Sequence, residues 1–500
     1  MNLVLLPVLL PLLTGLALLV VARPSRTRRW VGAGSALLQL VVALALVVHL
    51  RDGGWLVMMS GGWAAPHGIA ITADLLAALM VSLAAFTSLA CLLYGYFELP
   101  ASEEHPLRLP LVQFLLTGIN LAFLTGDLFN LFVAFEVMLV ASYALLTLEA
   151  DNWDIKQAFP YIAVNLTGST LFLCAAGLAY SLFGTLNLAH IATRATALEG
   201  DPRLVALALL LLGIFALKAG LFPLYLWLPG SYPVLPTPLA ALFAGLLTKV
   251  GIFVILRLVA TVLPPGLDQV HRVLAVLAAV TMVLGVLGAI SRNFLRGILS
   301  FHILSQVGFM VLAIGLFTPL SIAAAILYLV HHIVVKSSLF LVGGVVSVLN
   351  RSDDLDRTGN LWNAAPGLAM LFLVQALSLA GLPPLSGFWG KYLIVVAGFG
   401  LHQWLLAGVA LMAGLLTLFS MLKIWIAVFW RQDDHVPVAV GDARWRPMSW
   451  VVGGLTLVSL SLGLGVEGLF RLARQASETA LDRPGYIRAV QTASGRPLTP

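Results

Sequence analysis

Apolar runs long enough to cross the ~30 Å hydrocarbon core of a bilayer recur along the whole 500-residue chain, and they constrain the fold more than any other feature. In lipid such a run must satisfy its backbone hydrogen bonds within itself, as an α-helix. A window of ~19 residues picks out about fourteen spans. Their centres lie near Leu12, Val41, Ser82, Leu116, Leu139, Phe172, Leu212, Val250, Val280, Gly308, Val334, Val374, Ala413 and Leu457. Hydrophobic residues make up 60% of the chain, charged residues 10%, and mean hydropathy is +1.00, which excludes a soluble enzyme. The run Leu3–Val21 has no cationic segment before it and no small-residue cleavage site after it, so it reads as a retained helix. Connections are short, so one membrane domain is expected. The longest polar pieces are Ala192–Arg203, Asn350–Asn360, Arg431–Arg446 and the tail after Phe470.

Lysine and arginine are placed oppositely. Of six lysines, five (Lys218, Lys249, Lys336, Lys391 and Lys423) sit inside apolar spans, whereas the 22 arginines fall mainly in loops and in the tail, Arg257 being the main exception. Arginine stays protonated under almost any condition, while a buried lysine can release its proton because desolvation disfavours its charged form. Reversible protonation inside the membrane is the reading this split suggests. The loop charges also give an orientation. With the N-terminus outside, inner loops carry 13 basic residues (Arg23, Arg26, Arg28, Arg29, Arg108, Lys156, Arg292, Arg296, Arg351, Arg357, Arg431, Arg444 and Arg446). Outer loops then carry 4 (Arg51, Arg194, Arg203 and Arg272), which predicts both termini outside. Five tail arginines, Arg471, Arg474, Arg483, Arg488 and Arg496, run against the rule. The net charge of +6 reflects these loops rather than a nucleic-acid partner. Cys91 and Cys174 both lie in apolar helices, which argues against a disulfide framework or a metal cluster.

Two segments are alike. Ala219-Gly220-Leu221-Phe222-Pro223-Leu224 recurs 161 residues downstream as Ala380-Gly381-Leu382-Pro383-Pro384-Leu385. Each puts Gly and then Pro into a membrane span, and proline removes a backbone donor and clashes with the preceding turn, so each span should break into half-helices. Breaks at corresponding positions of two halves point to an internal repeat and its ion path. The offset fits two units of about five helices, and a lysine lies near each break, Lys218 before the first and Lys391 after the second.

The intramembrane polar groups form a set. Glu136 lies in Leu128–Leu148 among apolar residues, and its expected partner is Lys218. The bland alternative is a protonated carboxyl making one helix–helix hydrogen bond. Asp127, at the start of the same helix, reads as an N-terminal cap. Lys249 sits mid-span, too deep to snorkel with ease. Lys423, followed by Trp425 and Trp430, reads equally as an interfacial anchor, and Arg257 could reach either surface. His331, His332 and Lys336 share one span, and His332 and Lys336, four apart, share one face. Two cations so placed repel, which favours proton exchange between them. A heme-ligating role is the rival, but the repeated His arrangement of a diheme is not evident. Ser300, His302, Ser305 and Gln306 on the preceding span could hold water and extend the path. Each group alone could be helix glue; together they read as a hydrated polar axis. No phosphate loop, metal-ligand spacing or nucleophile motif stands out, so no cofactor and no metal are expected, and a transporter rather than a catalyst.

The stretch Gly126-Asp127-Leu128-Phe129-Asn130-Leu131-Phe132-Val133-Ala134-Phe135-Glu136-Val137-Met138 resembles the signature around the fifth-helix glutamate of antiporter-like subunits. These subunits occur in respiratory complex I, Mrp-type multisubunit Na⁺/H⁺ antiporters and membrane-bound hydrogenases. Lys218, Lys249 and Lys391 match the family's lysines in the broken seventh, the eighth and the broken twelfth helix. Within the family the D subunit of Mrp antiporters is most alike, through Gly61-Gly62-Trp63, Gly68-Ile69-Ala70, Asp74-Leu75-Leu76, Phe301-His302-Ile303-Leu304-Ser305-Gln306 and His331-His332 with Lys336. The A subunit is much longer. Only about thirty residues follow Phe470, too few for the lateral helix and anchor of the largest complex I homologue. Another complex I homologue has Glu where Lys391 stands.

The resemblance implies an all-α polytopic fold of about 14 transmembrane helices with two inverted five-helix repeats, helices 4–8 and 9–13, broken at the seventh and twelfth. Segments are expected at 1–106 (three N-terminal helices), 107–263 and 264–430 (the repeats) and 431–500 (last helix and tail). It implies proton translocation in the cell membrane of a prokaryote through Glu136, Lys218, Lys249, His331, His332, Lys336 and Lys391, with Glu136 modulating Lys218. Partners implied are Mrp A, B, C, E, F and G type subunits, protons, Na⁺ and the lipid bilayer. The alternatives are a pumping subunit of complex I or a hydrogenase, which alone would make the chain part of an NADH:quinone oxidoreductase, and a scaffold whose buried charges only fix helix packing. No oxygen-rich cage for Na⁺ is evident, so its path is expected in partner subunits.

Overall fold

The computed structural model describes residues 3–20, 26–65 and 67–495. Val21, at the end of the first run, and the charges Arg23 and Arg496 lie outside the described residues. The first helices are α1 (Leu6–Val20), α2 (Arg26–Leu50), α3 (Leu75–Glu98), α4 (Arg108–Leu124), α5 (Leu128–Thr147), α6 (Asn152–Phe183) and the short α7 (Leu188–Ala197). The broken seventh span is α8 (Pro202–Ala219) and α9 (Trp227–Ser231). Then come α10 (Thr237–Arg257), α11 (Asp268–Ile290), α12 (Leu295–Leu316), α13 (Pro319–Asn350) and α14 (Leu361–Ala364). The broken twelfth span is α15 (Pro366–Ala380) and α16 (Ser386–Gly400), followed by α17 (Trp404–Trp425), α18 (Trp445–Leu464), α19 (Val466–Leu481) and α20 (Arg483–Ser494). Among the described residues 11 helices are long and apolar enough to cross a membrane, and the shorter apolar α1, α4 and α15 bring the spans to fourteen. Every expected span centre falls within one of them.

One element was not anticipated. Strands β1 (Leu56–Met59) and β2 (Ala70–Ala73) form an antiparallel hairpin between α2 and α3, with Leu56 opposite Ala73 and Met59 opposite Ala70. Four residues per strand, buried only through β2, leave little alternation to read from sequence.

Helix starts follow local chemistry. Asp74, Asp127, Asp151, Asn187 and Asp201 cap α3, α5, α6, α7 and α8 by accepting hydrogen bonds from first-turn amides, and Thr318 with Ser321 forms a capping box on α13. The expected breaks are present. Gly220 and Gly381 end α8 and α15 in the left-handed conformation, φ 81° and 93°, which glycine adopts without steric penalty. In each, the next amide reaches back five residues, Leu221 N to Ala216 O at 2.8 Å and Leu382 N to Leu377 O at 3.1 Å.

The repeat extends beyond the breaks. Leu128 N and Leu188 N donate to Leu186 O and Gly126 O (2.8 and 2.9 Å), tying the start of α5 to the segment after α6. Leu295 N and Leu355 N donate to Asp353 O and Asn293 O (both 2.8 Å), tying the start of α12 to the segment after α13 in the same way. Likewise α10 and α17 both close in a π-helical turn, Leu258–Val262 and Ile426–Trp430. Span five thus corresponds to span ten, seven to twelve and eight to thirteen. Successive spans alternate in direction, so the correspondence is inverted. Where the halves meet, α10 is buried along its whole length and α13 nearly so, packed among α3, α10, α12, α15, α16, α18 and α19.

Candidate functional site

The buried polar groups follow the repeat architecture from α5 to α16. Glu136, on α5, is half-buried, and its Oε1 is enclosed without a protein hydrogen-bond partner. Lys218 occupies the last turn of α8, where its Nζ donates to Asn165 O (2.9 Å) and Ser169 Oγ (3.2 Å) of α6 and lies 5.9 Å from the Phe135 ring. The expected Glu136–Lys218 ion pair is therefore not formed. The amine is turned toward the α6 backbone, and Glu136 reaches it only as a charge through space.

Lys249 is fully buried at mid-α10, its Nζ donating to the Ala244 carbonyl. Lys336 on α13 is equally buried, and its Nζ has no hydrogen-bond partner among the described residues. Both ring nitrogens of His332, one turn earlier, are in the same condition. Buried polar groups without protein partners are commonly held by internal water, and Thr248, Ser305 and Ser338 add three enclosed hydroxyls of this kind. His331 is tied by Nδ1 to Ser386 Oγ at 2.8 Å. His302 Nε2 meets Ser420 Oγ at 2.9 Å, and Gln306 accepts from the Tyr328 hydroxyl. Lys391, in the second turn of α16, folds back across the break. Its Nζ donates to Leu379 O (2.8 Å) and Ala380 O (3.0 Å), the open carbonyl end of α15, and sits 4.6 Å from the Phe309 ring. A groove of about 330 Å³ reaches it from the lipid-facing side, between Gly381, Tyr392, Ala410 and Gly414.

Other charges have plain structural duties. Lys423 donates to Ile290 O (3.1 Å), Arg292 O (2.6 Å) and Asn293 Oδ1 (2.9 Å), closing the end of α11. Asp127 caps α5 through Asn130 N at 2.8 Å. Arg257 reaches neither surface. It is buried in a bidentate pair with Asp74 (2.8 and 2.7 Å), between the rings of Trp55 and Phe253. Cys91 and Cys174 are free thiols.

Residues 125–417 match the family described as NADH:quinone oxidoreductase/Mrp antiporter, TM. The chain is a member of that family. One relative, the D subunit of the Na(+)/H(+) antiporter of Alkalihalophilus pseudofirmus, is 41% identical over 491 residues, covering 98% of this chain and 99% of the relative. The same-named protein of Bacillus subtilis is 35% identical over 489 residues, 98% of this chain and 99% of that one. Among solved structures, a chain of the Mrp complex from a Dietzia species superposes with a TM-score of 0.90 at 32% identity, covering 97% of this chain and 98% of that one. A chain of Thermus thermophilus respiratory complex I gives 0.78 at 26% identity, covering 96% and 100%. The likeness to the Mrp D subunit expected from sequence is borne out.

For this member of the Mrp antiporter family, sequence reading missed Asp74 as the partner of Arg257, and it missed the serines around His331. Asp74 did carry a signal, since it precedes an apolar helix as a cap. Nothing in the local sequence marks Ser378, Ser386 or Ser459, which approach one another only through the break and α18.

Proposed function

We propose that this multi-pass membrane protein is the proton-translocating subunit of a multisubunit Na⁺/H⁺ antiporter. Protons move along Glu136, Lys218, Lys249, the Lys336–His332–His331 cluster and Lys391. The observation that carries the reading is a contrast between two kinds of buried cation. Arg257 is locked in a bidentate pair with Asp74, as a charge that only holds helices together should be. Lys218, Lys249, Lys336 and Lys391 form no ion pair among the described residues, their amines meeting carbonyls, one serine hydroxyl or nothing. A buried amine without a fixed counter-ion can exist with or without its proton, and that is what a relay requires.

Each repeat would supply a half-channel open to one side, with 107–263 and 264–430 as the repeats and 1–106 and 431–500 flanking them. Glu136 modulates the proton affinity of Lys218 through space, the central lysines and histidines relay, and Lys391 exchanges with the opposite surface at the break. The loop charges support both termini outside the cell membrane. The names of the relatives support a complex with further Mrp subunits, in which Na⁺ takes its own path. The closer likeness to an Mrp chain than to a complex I chain favours antiport over redox-driven pumping. Glu136→Ala and Lys218→Ala should each abolish antiport while leaving complex assembly intact. Full Na⁺ resistance in cells carrying either substitution would sink this assignment.

A further inference from the structure

The break between α15 and α16 holds a buried cluster that the lysine line does not account for. Ser386, the first residue of α16, places its Oγ 2.8 Å from His331 Nδ1, 3.0 Å from Ser378 Oγ in the last turn of α15, and 3.4 Å from Ser459 Oγ on α18. All four residues are at most 2% exposed. The approach is built in. A Cβ at Gly387 would collide with the Ser378 carbonyl oxygen and lie 2.8 Å from His331 Nε2, so only glycine lets the start of α16 press against both partners. One residue beyond Ser378, the carbonyl of Leu379 holds the Lys391 amine. One turn before it, Gln375 Nε2 donates to Thr456 Oγ1 at 3.1 Å, fastening α15 to α18.

From this geometry we infer that the Ser386 and Ser378 hydroxyls carry the proton across the helix break between His331 and Lys391. The step rests on the proposed proton line and gives it a route where two half-helices interrupt the backbone. A hydroxyl donates one hydrogen bond while accepting others. As the proton on His331 Nδ1 passes to Ser386 Oγ, the proton already on Ser386 passes to Ser378 Oγ. The proton already on Ser378 passes on to the unprotonated amine of Lys391. Both serines end neutral, and one positive charge has moved from the imidazole to the amine. Return of the hydroxyls to their starting orientation readies them for the next proton. Ser459 accepts at longer range from outside the repeats and holds Ser386 in place.

The test uses the complex purified with its co-purifying subunits and reconstituted in liposomes, with relaxation of a pH gradient read per assembled complex in H₂O and D₂O. Ser386→Ala and Ser378→Ala should each slow relaxation about tenfold and enlarge the solvent isotope effect, because proton hopping becomes limiting. Ser386→Thr, which keeps the hydroxyl, should recover most of the rate. Wild-type relaxation in Ser386→Ala overturns the inference while leaving the lysine line standing, provided His331→Ala is inactive. Wild-type relaxation in His331→Ala removes that histidine from the line and the serine relay with it. A rate that falls only in step with assembled protein, with an unchanged isotope effect, also overturns the relay. Should Ser386→Ala fail to assemble, Ser378→Ala decides, and a wild-type rate there overturns it.

Discussion

Breaking the Asp74–Arg257 pair should destabilise the protein far more than any surface charge substitution. The Asp74 side chain is 0% exposed and that of Arg257 10%, and the two make parallel hydrogen bonds of 2.7 and 2.8 Å. Asp74→Asn keeps the helix cap, because Asn accepts from Ala77 N as Asp does at 2.9 Å, but it strands the guanidinium between Trp55 and Phe253. A stranded buried charge costs about 3–5 kcal/mol. Asp74→Ala loses the cap as well, a further ~1 kcal/mol. Asp74→Asn combined with Arg257→Met removes the charge with its partner and should recover most of the loss, since an apolar pair of similar volume replaces a buried ion pair at little cost. The assay is thermal unfolding of the detergent-solubilised complex followed by intrinsic tryptophan fluorescence, which Trp55 reports directly. A wild-type midpoint for Asp74→Asn, or a double variant no more stable than the single, would refute the reasoning.

Two other substitutions probe packing. Lys423→Ala leaves three acceptors at the end of α11 without their donor and should cost about 1 kcal/mol near the surface. Transport per assembled complex should stay at the wild-type rate, which separates Lys423 from the other four membrane lysines. Gly285→Val forces α11 from α12, because even a Cβ there would lie 2.5 Å from Ser305 N, and should cost at least about 1–3 kcal/mol in the same unfolding assay.

Much of this architecture is legible in the sequence because the bilayer imposes it. Span positions follow from run length, and the breaks at Gly220 and Gly381 follow from glycine and proline chemistry acting within a few residues. Capping by Asp127 is local in the same sense. What escaped is long-range. Asp74 and Arg257 are 183 positions apart, and the serine cluster joins α13, α15, α16 and α18, so only the tertiary fold brings these groups together. The repeat was visible at the breaks through a six-residue match. Its continuation in the bonds of Leu128 and Leu188 against those of Leu295 and Leu355 lies in backbone geometry, which side-chain identity does not encode. Glu136 was expected to touch Lys218 because opposite charges at depth usually pair; the backbone carbonyl of Asn165 provides the amine with a nearer acceptor.

The central claim is that these lysines serve because they can give up a proton, and replacing them with arginine tests it most directly. Arginine preserves the positive charge, the reach and the capacity to bond carbonyls, but it does not release its proton in proteins. Proton flux through the reconstituted complex, per assembled particle, should fall to background in Lys218→Arg, Lys249→Arg, Lys336→Arg and Lys391→Arg alike. Wild-type flux in arginine variants of these positions would mean that the charges hold the helices together and that protons travel elsewhere.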